Sequence, residues 1–441
     1  MNRTLTVLAA ALAALTLVIL GCDGGGTSAP KARLTFWHIQ TNTATRQVVE
    51  EAVGAYEDQS GGVLVQTSVF ENDPYKQKLS QAMASGEMPD VFHTWGGGGL
   101  AEFVREGKAA DITALAAADN ITQRILPAAL RFCTVDGKHY AVPMDVSAAV
   151  MWYNRDLFAK HGVAVPETWE GLLAACDKLR KAGVTPIALG NKDAWPGAFY
   201  FVYLAARIGG TQPFDDAASR APGPGAPGFA GPSFVEAGRR LQELVRAGAF
   251  NPGIDVMAYK DARGLFFREQ AAMILMGTWF LADAKAAAPQ MLDKIDCFPF
   301  PAVTAGEAGG LGVVVGGVNS AYAVSSACLQ PARAVKLLGT LTSDVVEARW
   351  GATGRIPALR QDLLSGMIPP ASQKAAGILF SAPAVQLYYD QALPRQLAEQ
   401  HKRTTQSLIS LTTTPEEAAQ AMEATAAETL RSGAPRETAG K

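Results

Sequence analysis

Strands alternate with helices from the first readable segment of this chain, and that alternation limits its folds more than any other feature. Arg33 to Ile39 (RLTFWHI) turns Leu34 and Phe36 to one side, as a strand does. The following TATRQVVEEAVGAYEDQ sets Val49, Ala52, Val53 and Tyr56 at helical spacing; Gly61-Gly62 stops it, and VLVQTSVF is again rich in β-formers. Two strands joined through a helix lie parallel, with a right-handed crossover. The unit then recurs. Asp73-Pro74 starts a helix, the carboxylate as N-cap and the proline at the first helical position, and the helix runs through YKQKLSQAMAS to Gly86. DVFHTW is a short strand closed by Gly96 to Gly99, and LAEFVREG opens another helix. Further on, HYAVPMDVSAAVMWYN reads as mostly extended, and VTPIALG and AAMILMG as buried strands. The fold class is therefore α/β.

Two stretches interrupt the rhythm. RAPGPGAPGFAGPS, Arg220 to Ser233, is a loop by its proline and glycine content. TPEEAAQAMEATAAETL is a closing helix whose Thr414 and Glu417 form a capping box over Pro415. Residues 432–441 are expected to be a disordered tail.

The N-terminus carries an address. After Arg3, Leu5 to Leu20 form an apolar run of 16 residues, short of the roughly 20 a membrane span needs and suited to a signal peptide. Ile19-Leu20-Gly21-Cys22 resembles a bacterial lipobox, so residues 1–21 are expected to be removed and Cys22 to carry lipid. The competing reading is an ordinary signal peptide with an incidental cysteine. DGGGTSAPKAR, Asp23 to Arg33, has the composition of a flexible tether, which is expected over 22–32. The expected location is outside the cell membrane, lipid-anchored and facing the periplasm or the exterior.

A chain of 441 residues with 48% hydrophobic content has room for two or three domains. Its net charge of -2 comes with no Lys/Arg cluster, which sets nucleic acid aside as a partner. Beyond Cys22 there are Cys133, Cys176, Cys297 and Cys328. Cys176 shares a helical face with Trp169, Leu172, Leu173 and Leu179, which points to a buried free thiol. The remaining odd set leaves room for at most one disulfide.

Ligands of open α/β sheets bind outside the carboxyl ends of the strands. The residues there are Trp37, His38, Gln40 and Asn42; Phe70, Glu71, Asn72 and Asp73; His93, Trp95 and the glycines from Gly96; Asn191, Lys192, Asp193 and Trp195; Thr278 and Trp279. Four of the seven tryptophans fall at such ends, beside amides and carboxylates, whereas Trp152, Trp169 and Trp350 are expected in cores. Flat aromatic faces with planar hydrogen-bonding groups suit the C–H face and hydroxyls of a sugar.

Other chemistries find less. No Gly-Lys-Ser/Thr follows Gly96 to Gly99, and there is no Gly-x-Ser-x-Gly or His-Glu-x-x-His. The five histidines lack metal-ligand spacing, so neither a metal site nor a cofactor is expected. Tyr388-Tyr389-Asp390 does not make an iron site, because adjacent side chains in regular structure point apart. A glycosidase remains an alternative, with Glu71, Asp73 and Asp145 as its carboxylates. A polyamine would want more acidic strand ends and a glycerol phosphate more cations, of which Lys192 stands out.

The lipobox, YKQKLSQAMASGEMPDVFHTWGG, YAVPMDVSAAVMWYNRDLFAKHGVAVPETWEGL, AAMILMGTW, FPFPAVTAGE, GGVNSAYAVS and TPEEA, in this order, resemble the carbohydrate-binding extracellular solute-binding proteins of bacterial ABC importers, the maltose-binding-protein-like group. The resemblance covers nearly all of the mature chain. It implies a two-lobed periplasmic-binding-protein fold of type II, with the ligand cleft between lobes joined by crossover hinge segments. It implies a binding protein and not an enzyme, with no catalytic residue, a mono- or oligosaccharide ligand, a membrane permease as partner and a monomeric state. The expected lobes are 33–143 with 297–327 and 144–296 with 328–431, with Pro143 to Ser147 as hinge. This mapping puts Cys297 and Cys328 both near crossovers and favours their pairing. Ligand contacts implied by matching motifs are Trp279, which would stack on the sugar, Gly316, Gly317 and Asn319, and also Glu71, Asn72, Trp95, Gly96 and Asp145. Trp37, Asn42 and Trp195 rest more on their place at strand ends.

Overall fold

A computed structural model describes residues 32–220, 227–303, 312–364 and 366–431. The leader with Cys22, nearly all of the tether, part of the Pro/Gly stretch and the tail from 432 lie outside the described residues.

The opening unit forms as expected. β1 (Arg33–His38) pairs parallel with β2 (Leu64–Val69), from Arg33 opposite Leu64 to His38 opposite Val69. The intervening helix Thr43–Gln59 buries Val48, Val49, Ala52, Val53 and Tyr56, one apolar stripe at helical spacing. Helix Asn72–Ser85 follows and ends at Gly86, whose φ of 78° is the left-handed cap that glycine adopts without strain. Its start differs from expectation: Glu71 is the N-cap and Asp73 lies in the first turn. β3 (Val91–Thr94) then pairs parallel with β1 on the side away from β2.

After the small hairpin of β4 (Thr134–Val135) and β5 (Lys138–His139) comes β6 (Ala141–Asn154), buried along all 14 residues. It serves two sheets in turn. Its first half, Ala141 to Ala148, pairs antiparallel with β10 (Val313–Val324). Its second half pairs with β8 (Ala271–Gly277), from Ala149 opposite Gly277 to Tyr153 opposite Met273, and with β9 (Ile295–Phe298). β7 (Thr185–Ile187) extends that second sheet parallel to β8. The strand order is β2-β1-β3-β10-β6-β8-β7, with β9 and β11 (Ile356–Pro357) beside β6 and β12 (Ala384–Gln386) beside β10. A first lobe is built on β2-β1-β3-β10 and the start of β6, and a second on β8, β7, β9 and the end of β6.

These pairings divide the chain differently from the expected boundaries. β6 changes partners between Ala148 and Ala149, past the expected hinge Pro143 to Ser147, and Pro143 still sits opposite Ala321 in the first sheet. β9, with Cys297 opposite Trp152, belongs to the second sheet, and β10 is the strand that returns to the first. Past residue 328, helices Pro331–Leu341 and Asp344–Ala352 still lie on Thr43–Gln59, and only Pro370–Phe380 lies on β6 and β9.

Trp152, Trp169 and Trp350 are fully buried, as expected of core residues. The capping box also forms: the Thr414 hydroxyl accepts from the Glu417 N–H at 3.2 Å and a Glu417 carboxylate oxygen accepts from the Thr414 N–H at 2.9 Å. No helix among the described residues is long and apolar enough to cross a membrane.

The expected disulfide is corrected. Cys133, Cys176, Cys297 and Cys328 are all free and buried. Cys297 lies in the second sheet, whereas Cys328 lies in the turn beyond β10, its N–H bonded to the Ser325 carbonyl in the first lobe. Burial pushes the Cys176 and Cys297 thiols up to about 12 and Cys328 up to about 11, and only the thiolate reacts. The native protein is therefore expected to leave these four thiols unmodified by a disulfide reagent. All four should react once the chain is unfolded without reductant; a lower count in unfolded, unreduced protein would reveal a bridge.

Candidate ligand-binding site

In the second lobe, β8 ends at Gly277 and the chain turns into helix Trp279–Ala287. The Trp279 indole folds back over Gly277, where an added Cβ would lie 2.0 to 2.4 Å from three ring carbons. Glycine there is what lets the ring take this pose. Trp195 opens helix Trp195–Gly209, and its ring lies 6.2 Å from that of Trp279, edge to face. Tyr259 approaches Trp195 at 5.3 Å; Phe199 approaches it at 5.5 Å; Tyr388 approaches Phe199 at 4.7 Å and Trp279 at 6.5 Å. Phe199 and Tyr388 are buried while Trp195 and Trp279 stay half-buried, so the inner pair supports the outer pair. Asp193 stands beside this wall. Burial, with Asp73 of the other lobe adding to it, raises its carboxyl above the usual range, and Lys192, the Tyr259 N–H and Lys76 pull it back.

In the first lobe, Trp95 leaves β3 with its ring edge-on to His93 at 4.7 Å and Tyr75 at 6.0 Å. The Tyr75 hydroxyl donates to the His93 carbonyl at 2.6 Å. The turn after Trp95 needs its first glycine: Gly96 has φ 72°, and a Cβ there would lie 2.5 Å from the Phe132 carbonyl oxygen. The Lys76 ammonium lies 5.0 Å above the Trp95 ring centre. Trp37 keeps separate company, edge-on to Phe70 at 5.4 Å and beneath the Lys78 ammonium at 5.0 Å. Glu71 is exposed at its helix start, and the Asn72 amide donates to Asp73 at 3.2 Å.

Between the lobes the expected residues hold the protein together. Asp145 is 1% exposed and bonded to Arg355 at 3.1 Å and to the Asn319 amide at 3.1 Å. Asn319 sits where the β10–β6 register shifts, and such an irregularity re-aims a side chain. Gly316 allows the same strands to meet, since a Cβ there would be 2.3 Å from the Ser147 carbonyl; at Gly317 it would be 2.4 Å from a Leu387 methyl. Asn42 caps helix Thr43–Gln59 by accepting from the Ala44 N–H at 3.0 Å, and its amide reaches across to the Ala282 carbonyl at 2.9 Å. Asp145, Asn319 and Asn42 are thus engaged by protein partners.

The structure brings Trp195 and Trp279 together, sets Trp95 beside Lys76, and leaves Trp37 under Lys78. Sequence reasoning missed Phe199, Tyr259, Lys76 and Arg355. Tyr388 was within reach, since Tyr388 and Tyr389 do point apart: Tyr389 stacks on Phe214 at 3.9 Å on the far side from Trp279.

Set against known proteins, this architecture is shared with two-lobed type II binding proteins. A structure from a study of xylan utilization by Caldanaerobius polysaccharolyticus superposes with a TM-score of 0.82 at 30% identity, covering 89% of this chain and 99% of that one. A chitin oligosaccharide binding protein superposes at 0.81 and 23% identity, covering 90% and 98%. An uncharacterized ABC transporter extracellular-binding protein of Pyrococcus horikoshii is 25% identical over 304 residues, 65% of this chain and 67% of that protein. The family described as bacterial extracellular solute-binding protein matches residues 39–348, and the chain belongs to it.

Glu347, near Asp145, provides a test of the hinge region. It is fully buried, and neither carboxylate oxygen has a hydrogen-bond partner among the described residues. Burial holds its carboxyl well above the usual range; Asp145 and Asp344 add to this and Arg124 opposes it. The folded chain thus keeps a proton that the unfolded chain releases above about pH 4.3, so stability falls as pH rises from there toward the folded value. Glu347→Gln removes that loss. In urea unfolding the variant should gain on the wild type between pH 4.5 and pH 8; a difference that stays constant with pH would mean the carboxyl is ionised when folded.

Proposed function

We propose that this extracellular solute-binding protein is a lipid-anchored receptor that captures a mono- or oligosaccharide by lobe closure and delivers it to an ABC-type permease. The observation that carries the ligand class is the second-lobe wall, where Trp195 and Trp279 stay half-buried in front of Phe199 and Tyr388. Such faces pack on the C–H surface of a pyranose, and Asp193 beside them accepts from hydroxyls. The neighbours support the same class, one being a chitin oligosaccharide binding protein and another coming from work on xylan utilization. On this reading the lobes follow the strand pairings: among the described residues, 33–148 and 316–357 form the first, and 149–220, 227–303, 312–315 and 366–431 the second. The ligand can drive closure only by binding the closed form more tightly.

A thermal-shift screen of the full chain against xylo-oligosaccharides, chito-oligosaccharides and simple hexoses tests the class, since a ligand of the native state raises the melting temperature. With the responding sugar, Trp279→Ala should weaken affinity by about tenfold or more in calorimetry, near 1.4 kcal/mol. Unchanged affinity would remove Trp279 from the site. Anchoring is checked separately: labelled palmitate should enter the wild type in bacterial cells and be absent from Cys22→Ala.

A further inference from the structure

Lys76 occupies a place in the cleft that a ligand's own cation would otherwise take. Its ammonium lies 5.0 Å from the centre of the Trp95 ring and 3.9 Å from the Asp390 carboxylate. Trp95 and Lys76 belong to the first lobe. Asp390 belongs to the second, in the short helix Tyr389–Ala392, one turn of chain from Tyr388 and its contact with Trp279. Asp193 lies within electrostatic reach of both Asp73 and Lys76. The nearby Lys192 is exposed, at the rim. An aromatic face with carboxylates around it is the arrangement that holds an alkylammonium group, and here the protein supplies that group itself.

We infer that Lys76 is the residue that sets the charge class of the ligand, excluding amines and leaving the cleft to neutral polyols. This rests on the carbohydrate reading of the cleft. The reasoning is electrostatic. With Lys76 present, the Trp95 face and Asp390 are already engaged, and an incoming amine meets a like charge a few ångströms away. A neutral sugar meets no such repulsion, and it can use the same ammonium as a hydrogen-bond donor to a hydroxyl or ring oxygen. With the charge removed, the Trp95 face and the Asp390 carboxylate are left as an unoccupied cation site. Lys76 is half-buried on a helix surface, so its replacement does not disturb a core.

The experiment compares the full-length wild type with Lys76→Met, Lys76→Arg and the double variant Lys76→Met/Asp390→Asn, by thermal shift and calorimetry. The probes are spermidine and glucosamine as cations, and the neutral sugars of the screen above. Lys76→Met should bind spermidine about tenfold or more tightly than the wild type, with affinity that fades as sodium chloride is raised. Lys76→Arg should exclude spermidine as the wild type does, and the double variant should lose what Lys76→Met gained. The inference is overturned if Lys76→Met, folded by circular dichroism, binds cations no better than the wild type. It is overturned equally if the wild type binds spermidine as well as the variant does. A wild type that answers to none of the neutral sugars would sink the carbohydrate reading instead, and the gain of spermidine binding by Lys76→Met is scored independently of it.

Discussion

Everything in this molecule is referred to one strand. β6 is buried along its whole length and changes neighbours once, between Ala148 and Ala149, leaving β10 behind and taking up β8. Where a strand passes from one sheet to another, the ladder hydrogen bonds on either side hold two rigid bodies, and the residues between them are where those bodies can turn. The Asp145–Arg355 pair lies just on the first-lobe side of that point and joins β6 to the segment entering β11. A buried ion pair of this kind adds little net stability, because two charges have left water, but separating the partners is expensive. Its effect is to hold the first-lobe side of that point in one arrangement.

The lobes meet on both sides of that axis. On one side Asn42 donates to the Ala282 carbonyl, and the Lys285 ammonium donates to the Ala352 carbonyl at 2.8 Å. On the other, the Arg395 N–H and side chain reach Glu102, and the backbones come so near that a Cβ on Gly98 would lie 2.4 Å from the Ala392 carbonyl oxygen. The glycine run after Trp95 therefore serves three close approaches, Gly96 against Phe132, Gly97 against Gln391 and Gly98 against Ala392. Each polar contact across the gap replaces one with water and is worth on the order of 1 kcal/mol or less. On the proposed reading, contacts this weak would let a ligand choose between open and closed forms.

Local pattern made the layers legible and long-range pairing hid the rest. The βαβ opening, the buried face around Cys176 and the Thr414–Glu417 box all depend on residues within a few positions of each other, and all can be read from spacing. The boundaries could not be. An apolar run such as that of β10 satisfies either sheet, and only its partners decide which. The bond of Asp145 to Arg355 was hidden for the same reason: that partner lies 210 residues away and leaves no trace in the local pattern. Tyr388 was visible as one of an adjacent aromatic pair, yet its role follows from which of the two faces Trp279. Lys76 leaves no local signal either, because its carboxylate partner Asp390 comes from a distant segment of the chain.

The two halves of the cleft are built differently, and on the proposed reading that difference gives them different tasks. The second-lobe wall draws on Trp195, Phe199, Tyr259, Trp279 and Tyr388, rings from four segments that brace one another. A surface held in place beforehand loses little entropy on binding, so it can take up a sugar before the lobes close. The first lobe offers Trp95, and over it the charge of Lys76, which lies 3.9 Å from Asp390 of the second. Contact area therefore resides on the wall and discrimination on closure: a ligand that stacks well but carries a positive charge would be held by the second lobe and refused by the first. A receptor that closes only on ligands passing both conditions presents the closed form rarely in error, because the stacking and electrostatic terms come from different lobes and neither substitutes for the other.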